Sequence, residues 1–243
     1  MKIIIAENYN EMSKAAAELI AEEINRKPNM VLGLATGSTP VGTYEKLIEM
    51  NKENKIDFSG ITTFNLDEYC GLNKENDQSY WYFMHDKLFN HVNINHANIN
   101  MLDGTNTDSE KECSSYDEKI EKAGGIDLQV LGMGHNGHIA FNEPCDYFSN
   151  GAHMVELQES TINANKRFFE DVSQVPKASY TMGIGNIMHA RKVVMLVSGE
   201  EKAETVAKAF NGAIVPQVPA SVLQLHNDFV LIMDKAAASK FSK

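Results

Sequence analysis

A glycine-rich stretch near the middle of the chain carries the residues best suited to proton transfer. It reads Gly-Met-Gly-His-Asn-Gly-His from Gly132 to His138 and continues to Glu143. A histidine moves protons near neutral pH, and a glutamate that reaches the imidazole fixes its orientation and raises its basicity. The spacing predicts a catalytic loop with His138 as acid and base. A structural histidine in a turn, with a solvated Glu143, explains the same spacing about equally well.

A second loop has the composition of an anion site. Leu-Ala-Thr-Gly-Ser-Thr-Pro, residues 34–40, follows a strand-like run and precedes a helical pattern. Backbone N–H groups at a helix start bind anions. The lysine of a Walker loop and the glycine spacing of a dinucleotide fingerprint are both absent. The loop therefore predicts a phosphate cradle made by Thr36, Gly37, Ser38 and Thr39, with an ordinary helix cap as the alternative.

The third loop, Phe64 to Tyr69, ends a strand-like run with two adjacent acids, Asp67 and Glu68. Consecutive side chains at a strand end point in opposite directions, so these two acids are not expected to act as a carboxylate pair. A single carboxylate above a carbon next to a carbonyl can abstract a proton and return it to the neighbouring carbon. That route isomerises an aldose without a metal. A capping or solvated acid is the alternative reading.

The chain alternates short β-branched runs with longer amphipathic ones, which is typical of βαβ units. This pattern predicts an α/β fold with a mostly parallel sheet and helices on both faces, in a single domain over residues 1–243. The expected strands are 2–6, 30–35, 61–66, 127–133, 192–198 and 228–233, and the expected helices are 12–24, 41–54, 77–89, 181–189, 200–210 and 235–240. The weakly periodic segment 145–178 is expected to hold short strands and a lid over the site, and a surface excursion without a function explains it about equally well.

Ligands of open parallel sheets bind beyond the carboxyl ends of the strands. All three loops described above follow predicted strands. We therefore expect them to share one edge of the sheet and to form one site.

Composition excludes several classes of partner. The chain has 22 Lys and Arg against 33 Asp and Glu, a net charge of −11, which disfavours nucleic acid and anionic membranes as partners. The three cysteines lack metal-ligand spacing, and His135 and His138 have no suitable third ligand nearby, so neither a metal nor a cofactor is predicted. The amino-terminal residues lack the apolar core of a signal peptide, which predicts a cytoplasmic protein.

Several motifs together resemble the glucosamine-6-phosphate deaminase family. They are Thr-Gly-Ser-Thr-Pro at 36–40, Phe-Asn-Leu-Asp-Glu-Tyr at 64–69, Gly-His-Ile-Ala-Phe-Asn-Glu-Pro at 137–144, Arg-Phe-Phe at 167–169 and Gln-Val-Pro-Lys at 174–177. They occur in the family's order, and the likeness runs from about residue 2 to residue 233. The resemblance implies hydrolytic isomerisation of D-glucosamine 6-phosphate to D-fructose 6-phosphate and ammonium, in amino-sugar catabolism. It also implies that the α/β fold is a modified doubly wound (Rossmann-like) one.

The resemblance also implies roles for single residues. Asp67 matches the base that moves a proton between C2 and C1, His138 the acid and base that opens the sugar ring, and Glu143 the carboxylate that orients it. Asn136 occupies a position that is aspartate in some members; here it can hydrogen-bond but cannot take a proton. Phosphate binding falls to the 36–39 loop, with Arg167 and Lys202 as counter-charges.

Members activated by N-acetylglucosamine 6-phosphate share a basic cluster after the Asn-Glu-Pro motif and a longer carboxyl-terminal tail. This chain has Asp146, His153 and Val155 where the cluster falls. We therefore expect no such allosteric site, and a monomer or small homo-oligomer. Two other functions stay open: a 6-phosphogluconolactonase, which the Asp67 loop disfavours because lactone hydrolysis moves no proton between carbons, and a non-catalytic sugar-phosphate sensor.

Overall fold

The computed structural model describes residues 1–165, 169, 171 and 174–242. Ten strands are found in chain order: β1 Lys2–Ala6, β2 Val31–Leu34, β3 Thr62–Asn65, β4 Asp67–Tyr69, β5 Ile99–Asn100, β6 Leu128–Leu131, β7 His153–Glu156, β8 Ala178–Thr181, β9 Lys192–Val197 and β10 Phe229–Asp234. Seven of them form a parallel sheet in the order β1-β10-β9-β6-β2-β3-β5.

Seven α-helices accompany the strands in the described part of the chain. They are α1 Tyr9–Arg26, α2 Val41–Lys52, α3 Tyr80–Lys87, α4 Ser109–Lys122, α5 Glu159–Asn165, α6 Ile184–Met188 and α7 Ala203–Asn211. Residues of α1, α2 and α3 share one buried apolar cluster, and residues of α4, α6 and α7 share another. The first cluster contains Leu32 and Leu34 of β2, and the second contains Val31 of the same strand. Helices therefore cover both faces of the sheet.

The burial pattern of the strands is typical of a central parallel sheet that is covered on both faces. Every residue of β2, β6 and β10 is buried. Continuous burial of this kind requires apolar packing on both faces, which parallel strands obtain from their crossover helices. The predicted α/β fold with helices on both faces is confirmed.

A small antiparallel sheet in the order β4-β8-β7 joins the large one at a single residue. The Leu66 amide donates to Leu34 of the large sheet at 3.2 Å, and the Leu66 carbonyl accepts from Met182, just beyond β8, at 2.7 Å. The chain thus passes from β3 to β4 without a loop. Asp67, the first residue of β4, pairs with Thr181 across the small sheet.

Two predicted helices are wrong in part or in whole. The helix expected over 181–189 begins only at Ile184, because Thr181 is committed to the small sheet and Gly183 precedes the helix in an extended conformation. The helix expected over 235–240 is a series of turns. Its first amide, that of Lys235, continues the sheet by donating to Ala6, and the Asp234 carboxylate accepts from Ala237.

The prediction omitted α4, β5, β4 and β8. Helix α4 has a recognisable pattern, with Asp108 as its N-cap and Cys113, Tyr116 and Ile120 buried along one side. The strands β4, β5 and β8 have two to four residues each, too few to show a period. Within the described residues, no helix combines the length and the apolar character needed to cross a bilayer.

Candidate active site

The three predicted loops meet, because they follow β6, β2 and β3, which are neighbours in the sheet. They line one cavity of about 770 Å³. Of the predicted site residues, the cavity wall includes Thr36, Gly37, Ser38, Thr39, Asp67, Asn136, His138 and Lys202. Glu143 is buried behind His138, and Arg167 lies outside the described residues.

Asn136 lies between the histidine and the glutamate. Its amide nitrogen donates to Glu143 Oε2 at 2.7 Å, and its Oδ1 is 2.7 Å from His138 Nδ1. The direct separation of His138 Nδ1 from Glu143 Oε2 is longer, 3.4 Å. A carboxylate only accepts hydrogen bonds, so the amide nitrogen of Asn136 must face Glu143 and its oxygen must face the imidazole. His138 Nδ1 therefore carries a proton, which leaves Nε2 to exchange protons with a ligand.

Glu143 is held as an anion by several donors. Thr161 of α5 donates to its Oε1, while Asn136 donates to its Oε2. Burial acts to raise the pKa of Glu143, but the hydrogen bonds from His138, Thr161 and Asn136 outweigh it and hold that pKa below its usual value. An ionised Glu143 stabilises the imidazolium form of His138, the form that can donate a proton.

Two glycines are required by the packing of this loop. A Cβ on Gly134 would overlap the imidazole ring of His138. Gly137 has φ +87°, in the left-handed region, and its Cβ would lie 2.8 Å from Val218 Cγ1. The Gly137 carbonyl also accepts from Ala220 at 2.8 Å. The 218–220 segment thus supports the glycine-rich loop from behind.

Asp67 and Glu68 point in different directions, as predicted for neighbours on a strand. Asp67 lines the cavity. Burial, and secondarily the negative charge of Glu68, raise the pKa of Asp67 to about 8. A carboxylate with a raised pKa is a stronger base, which suits it to removing a proton from carbon.

Glu68 faces α3 instead of the cavity. Its Oε1 accepts from the amides of Tyr69 and Tyr80, both at 2.9 Å, and its Oε2 accepts from that of Trp81 at 2.8 Å. Two of these amides belong to the first turn of α3, where the helix dipole favours a negative charge. Glu68 therefore fixes α3 against β4 and places Tyr80 in the cavity wall.

The loop after β2 is held at both ends by tyrosine hydroxyl groups. Tyr44 donates to the Ala35 carbonyl and accepts from the Ala35 amide. Tyr9 donates to the Ser38 carbonyl at 3.1 Å and accepts from the Gly42 amide at 2.8 Å. Between these anchors Gly37 has φ +96°. The loop is thus fixed before any anion arrives.

Lys202 brings a positive charge to the same cavity. Its Nζ donates to the Met133 carbonyl at 2.8 Å, which holds the ammonium group beside the glycine-rich loop. The turn that leads to Lys202 is organised by Asp234, whose carboxylate accepts from the Ser198 hydroxyl and the Gly199 amide. The charge needed to attract an anionic substrate to an acidic protein is therefore supplied locally.

The other end of the cavity is aromatic. The rings of Tyr69 and Tyr80 are 4.7 Å apart, and Phe141 lies 5.7 Å from Tyr69 and parallel to Tyr80 at 6.1 Å. Phe169 meets Tyr69 edge-on at 6.2 Å. All four rings line the same cavity as Asp67.

Sequence reasoning missed three residues that the structure places at the site. Thr161 and Asn163 of α5 line the cavity, and Tyr9 fixes the loop after β2. Each lies outside the predicted loops in sequence and meets them only in the folded protein, so no local sequence pattern identifies it. Among the described residues, no group of three or more histidine, cysteine, aspartate or glutamate side chains is arranged to hold a metal ion.

Comparison with known proteins identifies the family. The model of the family described as glucosamine-6-phosphate isomerases/6-phosphogluconolactonase matches residues 6–232. The chain belongs to this family. Within it, a glucosamine-6-phosphate deaminase of Thermoanaerobacter sp. (strain X514) is 55% identical over 239 residues, which cover 98% of this chain and 94% of the relative.

Two solved structures with this fold, a deaminase and a lactonase, differ in their similarity to this chain. The fold of this chain superposes with a TM-score of 0.96 on a monomeric glucosamine-6-phosphate deaminase, at 42% identity, covering 99% of this chain and 100% of that one. The 6-phosphogluconolactonase of Trypanosoma brucei gives a TM-score of 0.78 at 19% identity, covering 99% and 98% of the two chains. The second likeness shows the shared fold alone.

Proposed function

We propose that the chain catalyses the reaction of D-glucosamine 6-phosphate with water to give D-fructose 6-phosphate and ammonium. The chain is an enzyme of carbohydrate metabolism, as its full-length deaminase relatives are. One observation carries the residue assignment: a buried carboxylate, Asp67, shares a cavity with the His138 loop and with an anion cradle. The reaction requires these three groups: a carboxylate to act on C1 and C2, a histidine to act on the ring oxygen, and a cradle to bind the phosphate.

Ring opening falls to His138. With Nδ1 bonded to Asn136, Nε2 donates a proton to the ring oxygen as the bond between C1 and that oxygen breaks, and the C1 hydroxyl releases its proton to solvent as the aldehyde forms. The imidazolium that exists before donation is stabilised by ionised Glu143, through Asn136 and directly. The net change is one proton moved from the C1 hydroxyl to the ring oxygen.

Isomerisation falls to Asp67. The Asp67 carboxylate removes the C2 proton from the open aldehyde while the aldehyde oxygen takes up a proton that the 2-ammonium group releases, which gives an enediol-type intermediate with an amino group on C2. The Asp67 carboxyl group then returns its proton to C1. Nitrogen on C2 is then an iminium group. Water adds to C2, and ammonium leaves as the ketone forms. No electron acceptor or metal is needed to balance these steps.

The phosphate group is assigned to the loop of Thr36, Gly37, Ser38 and Thr39. Hydroxyl groups and backbone amides at the start of α2 supply donors, and Lys202 supplies positive charge. Arg167 is proposed as a second counter-charge on the strength of the family motif alone. An anion fixed at this end places the sugar carbons toward the carboxylate and the aromatic wall.

The activity is tested by ammonium release from D-glucosamine 6-phosphate. Asp67→Asn should lower kcat by about a thousandfold or more, while His138→Gln and Glu143→Gln should act mainly on the cyclic substrate. Hydrolysis of 6-phosphogluconolactone is the second arm of the test, since it needs no proton transfer between carbons. Lactone hydrolysis without ammonium release, or an unaffected Asp67→Asn variant, would reject the assignment.

We also propose that the protein acts in the cytoplasm as a monomer or small homo-oligomer. The solved relative described as monomeric, whose fold superposes over the full chain, supports the monomer. The segment 145–178 is proposed as a lid, since α5 and Phe169 within it line the cavity. Fluorescence from a probe on the exposed Cys145, read with and without inorganic phosphate, would follow that segment.

A further inference from the structure

One hydroxyl group joins α5 to the catalytic loop. Thr161 Oγ1 donates to Glu143 Oε1, across 18 positions of sequence. Both side chains are buried, with 5% of Thr161 and 7% of Glu143 exposed. A hydrogen bond to a buried carboxylate is stronger than one between neutral groups, and its loss leaves an oxygen that water cannot easily reach.

The rest of α5 is fixed independently of this bond. The amides of Thr161 and Ile162 donate to the Gln158 carbonyl at 3.0 and 2.9 Å. The Leu157 amide donates to the Lys177 carbonyl at 2.8 Å, and Ile162 packs against the cluster of Tyr69, Phe141 and Leu157. Removal of the Thr161 hydroxyl should therefore leave the helix in place and affect chiefly Glu143.

The position of the Thr161 hydroxyl determines the orientation of the Glu143 carboxylate. With Oε1 bonded to Thr161, the other oxygen, Oε2, is directed to Asn136 at 2.7 Å and toward His138 at 3.4 Å. Without the hydroxyl, the described residues offer donors to one oxygen of the carboxylate only, which leaves Glu143 free to rotate or to bind a proton. Either change weakens its support of the imidazolium.

We infer that Thr161 is a positioning residue for ring opening, which holds Glu143 ionised and oriented so that His138 can donate its proton to the ring oxygen of the substrate. The inference rests on the proposed function. It assigns a chemical role to α5 beyond closing the cavity: the hydrogen-bond chain Thr161–Glu143–Asn136–His138 is complete only when this helix is in place. The direction of the Glu143 pKa, lowered in part by Thr161, agrees with it.

The test compares Thr161→Val, which keeps the shape and removes the donor, with Thr161→Ser, which keeps the donor. For the valine variant we expect kcat for ammonium release to fall about tenfold to a hundredfold, with KM within about twofold of the parent. The serine variant should retain kcat within about threefold. Binding of an acyclic 2-amino-hexitol 6-phosphate, which has no ring to open, should be unchanged in both.

A double-mutant cycle with Glu143→Gln separates this role from a loss of folding. If Thr161 acts through Glu143, then adding Thr161→Val to Glu143→Gln should cost less than about twofold more in kcat. Equal losses in the valine and serine variants, an effect on KM instead of kcat, or additive losses in the cycle would overturn the inference. An inactive parent would refute the proposed function instead, and thermal melting of each variant identifies any that is merely unfolded.

Discussion

The hydroxyl group of Tyr9 donates to the backbone carbonyl of Ser38 at 3.1 Å, joining the first turn of α1 to the proposed phosphate loop. The same hydroxyl accepts from the Gly42 amide in the first turn of α2. A side chain at the start of the chain thus sets the shape of a binding loop without reaching the cavity wall.

Tyr9→Phe should weaken substrate binding while leaving the chemistry intact. Loss of a neutral hydrogen bond costs about 0.5–1.5 kcal/mol, so we expect KM to rise roughly twofold to tenfold with kcat within about twofold. Inhibition by inorganic phosphate should weaken in parallel. Tyr82→Phe, which removes the hydroxyl of an exposed tyrosine on α3, is the control and should change neither constant. A fall in kcat at constant KM would contradict the prediction.

Asp67→Asn should stabilise the fold at alkaline pH while abolishing activity. The pKa of Asp67 is raised to about 8 in the folded state, against about 3.9 for an unperturbed aspartate. Its stabilising contribution is therefore complete below pH 4 and is lost as pH rises to 8, because the fold must then release a proton from a buried group. The asparagine variant avoids this cost.

We expect the gain in the free energy of unfolding to grow between pH 4 and 8, to the order of 2–5 kcal/mol. Thermal melting of parent and variant across this range measures it. Asp77→Asn changes an exposed carboxylate at the same cavity and should leave the pH dependence of Tm unaltered. A gain of equal size at pH 4 and pH 8 would show that the titration of Asp67 is not its source.

Glu68→Gln should move the pH dependence of catalysis. The charge of Glu68 contributes to the raised pKa of Asp67, so its removal lowers that pKa. Activity that needs ionised Asp67 should then persist to lower pH, which would appear as a downward shift of the acid limb of the kcat/KM profile. The variant should also melt earlier, because glutamine cannot accept from all three amides of Tyr69, Tyr80 and Trp81. Glu75→Gln, an exposed change in the segment between β4 and α3, is the control.

Asn136→Asp should create a new titration in the catalytic loop. The amide nitrogen of Asn136 is 2.7 Å from Glu143 Oε2, and two carboxylates at that distance must share a proton. We expect the variant to gain a pH dependence that the parent lacks, with activity falling as the shared proton is lost on raising the pH. Asn136→Leu, which neither bridges nor titrates, should instead lose about tenfold to a hundredfold at every pH.

Rates should rise hyperbolically with D-glucosamine 6-phosphate and should not respond to N-acetylglucosamine 6-phosphate. The residues after the Asn-Glu-Pro motif, Asp146, His153 and Val155, provide no basic cluster to bind a second sugar phosphate. Light scattering should give a mass near 27.0 kDa or a small multiple of it. A sigmoidal curve made hyperbolic by the effector would reject this prediction.

The sequence predicted the parts of the site that lie within single loops. The loops containing Ser38, Asp67 and His138 could be recognised because glycine, hydroxyl and acidic residues follow apolar runs, and strand ends in a parallel sheet share an edge. The roles of Thr161 and Tyr9 could not be predicted in this way. Thr161 acts through a hydrogen bond to a residue 18 positions away, and Tyr9 through hydrogen bonds to residues 29 and 33 positions away. Nothing local distinguishes either from other threonines and tyrosines.

The sequence also could not predict that Asn136 lies between His138 and Glu143. A spacing of five residues between His138 and Glu143 predicts that they can meet, and they lie 3.4 Å apart. That Asn136 stands between them depends on the turn at Gly137, whose φ of +87° folds the loop back on itself. Side-chain order in such a turn follows from backbone angles that spacing alone does not specify.

The junction at Leu66 limits how this enzyme can vary in length. Its amide belongs to one sheet and its carbonyl to the other, so no slack exists between β3 and β4. Inserting or deleting one residue here would reverse the two sides of β4, turning Glu68 toward the cavity and Asp67 toward α3. Homologues can lengthen or shorten many surface turns. The number of residues between β3 and β4, in contrast, is fixed by the need to place the Asp67 carboxylate in the cavity.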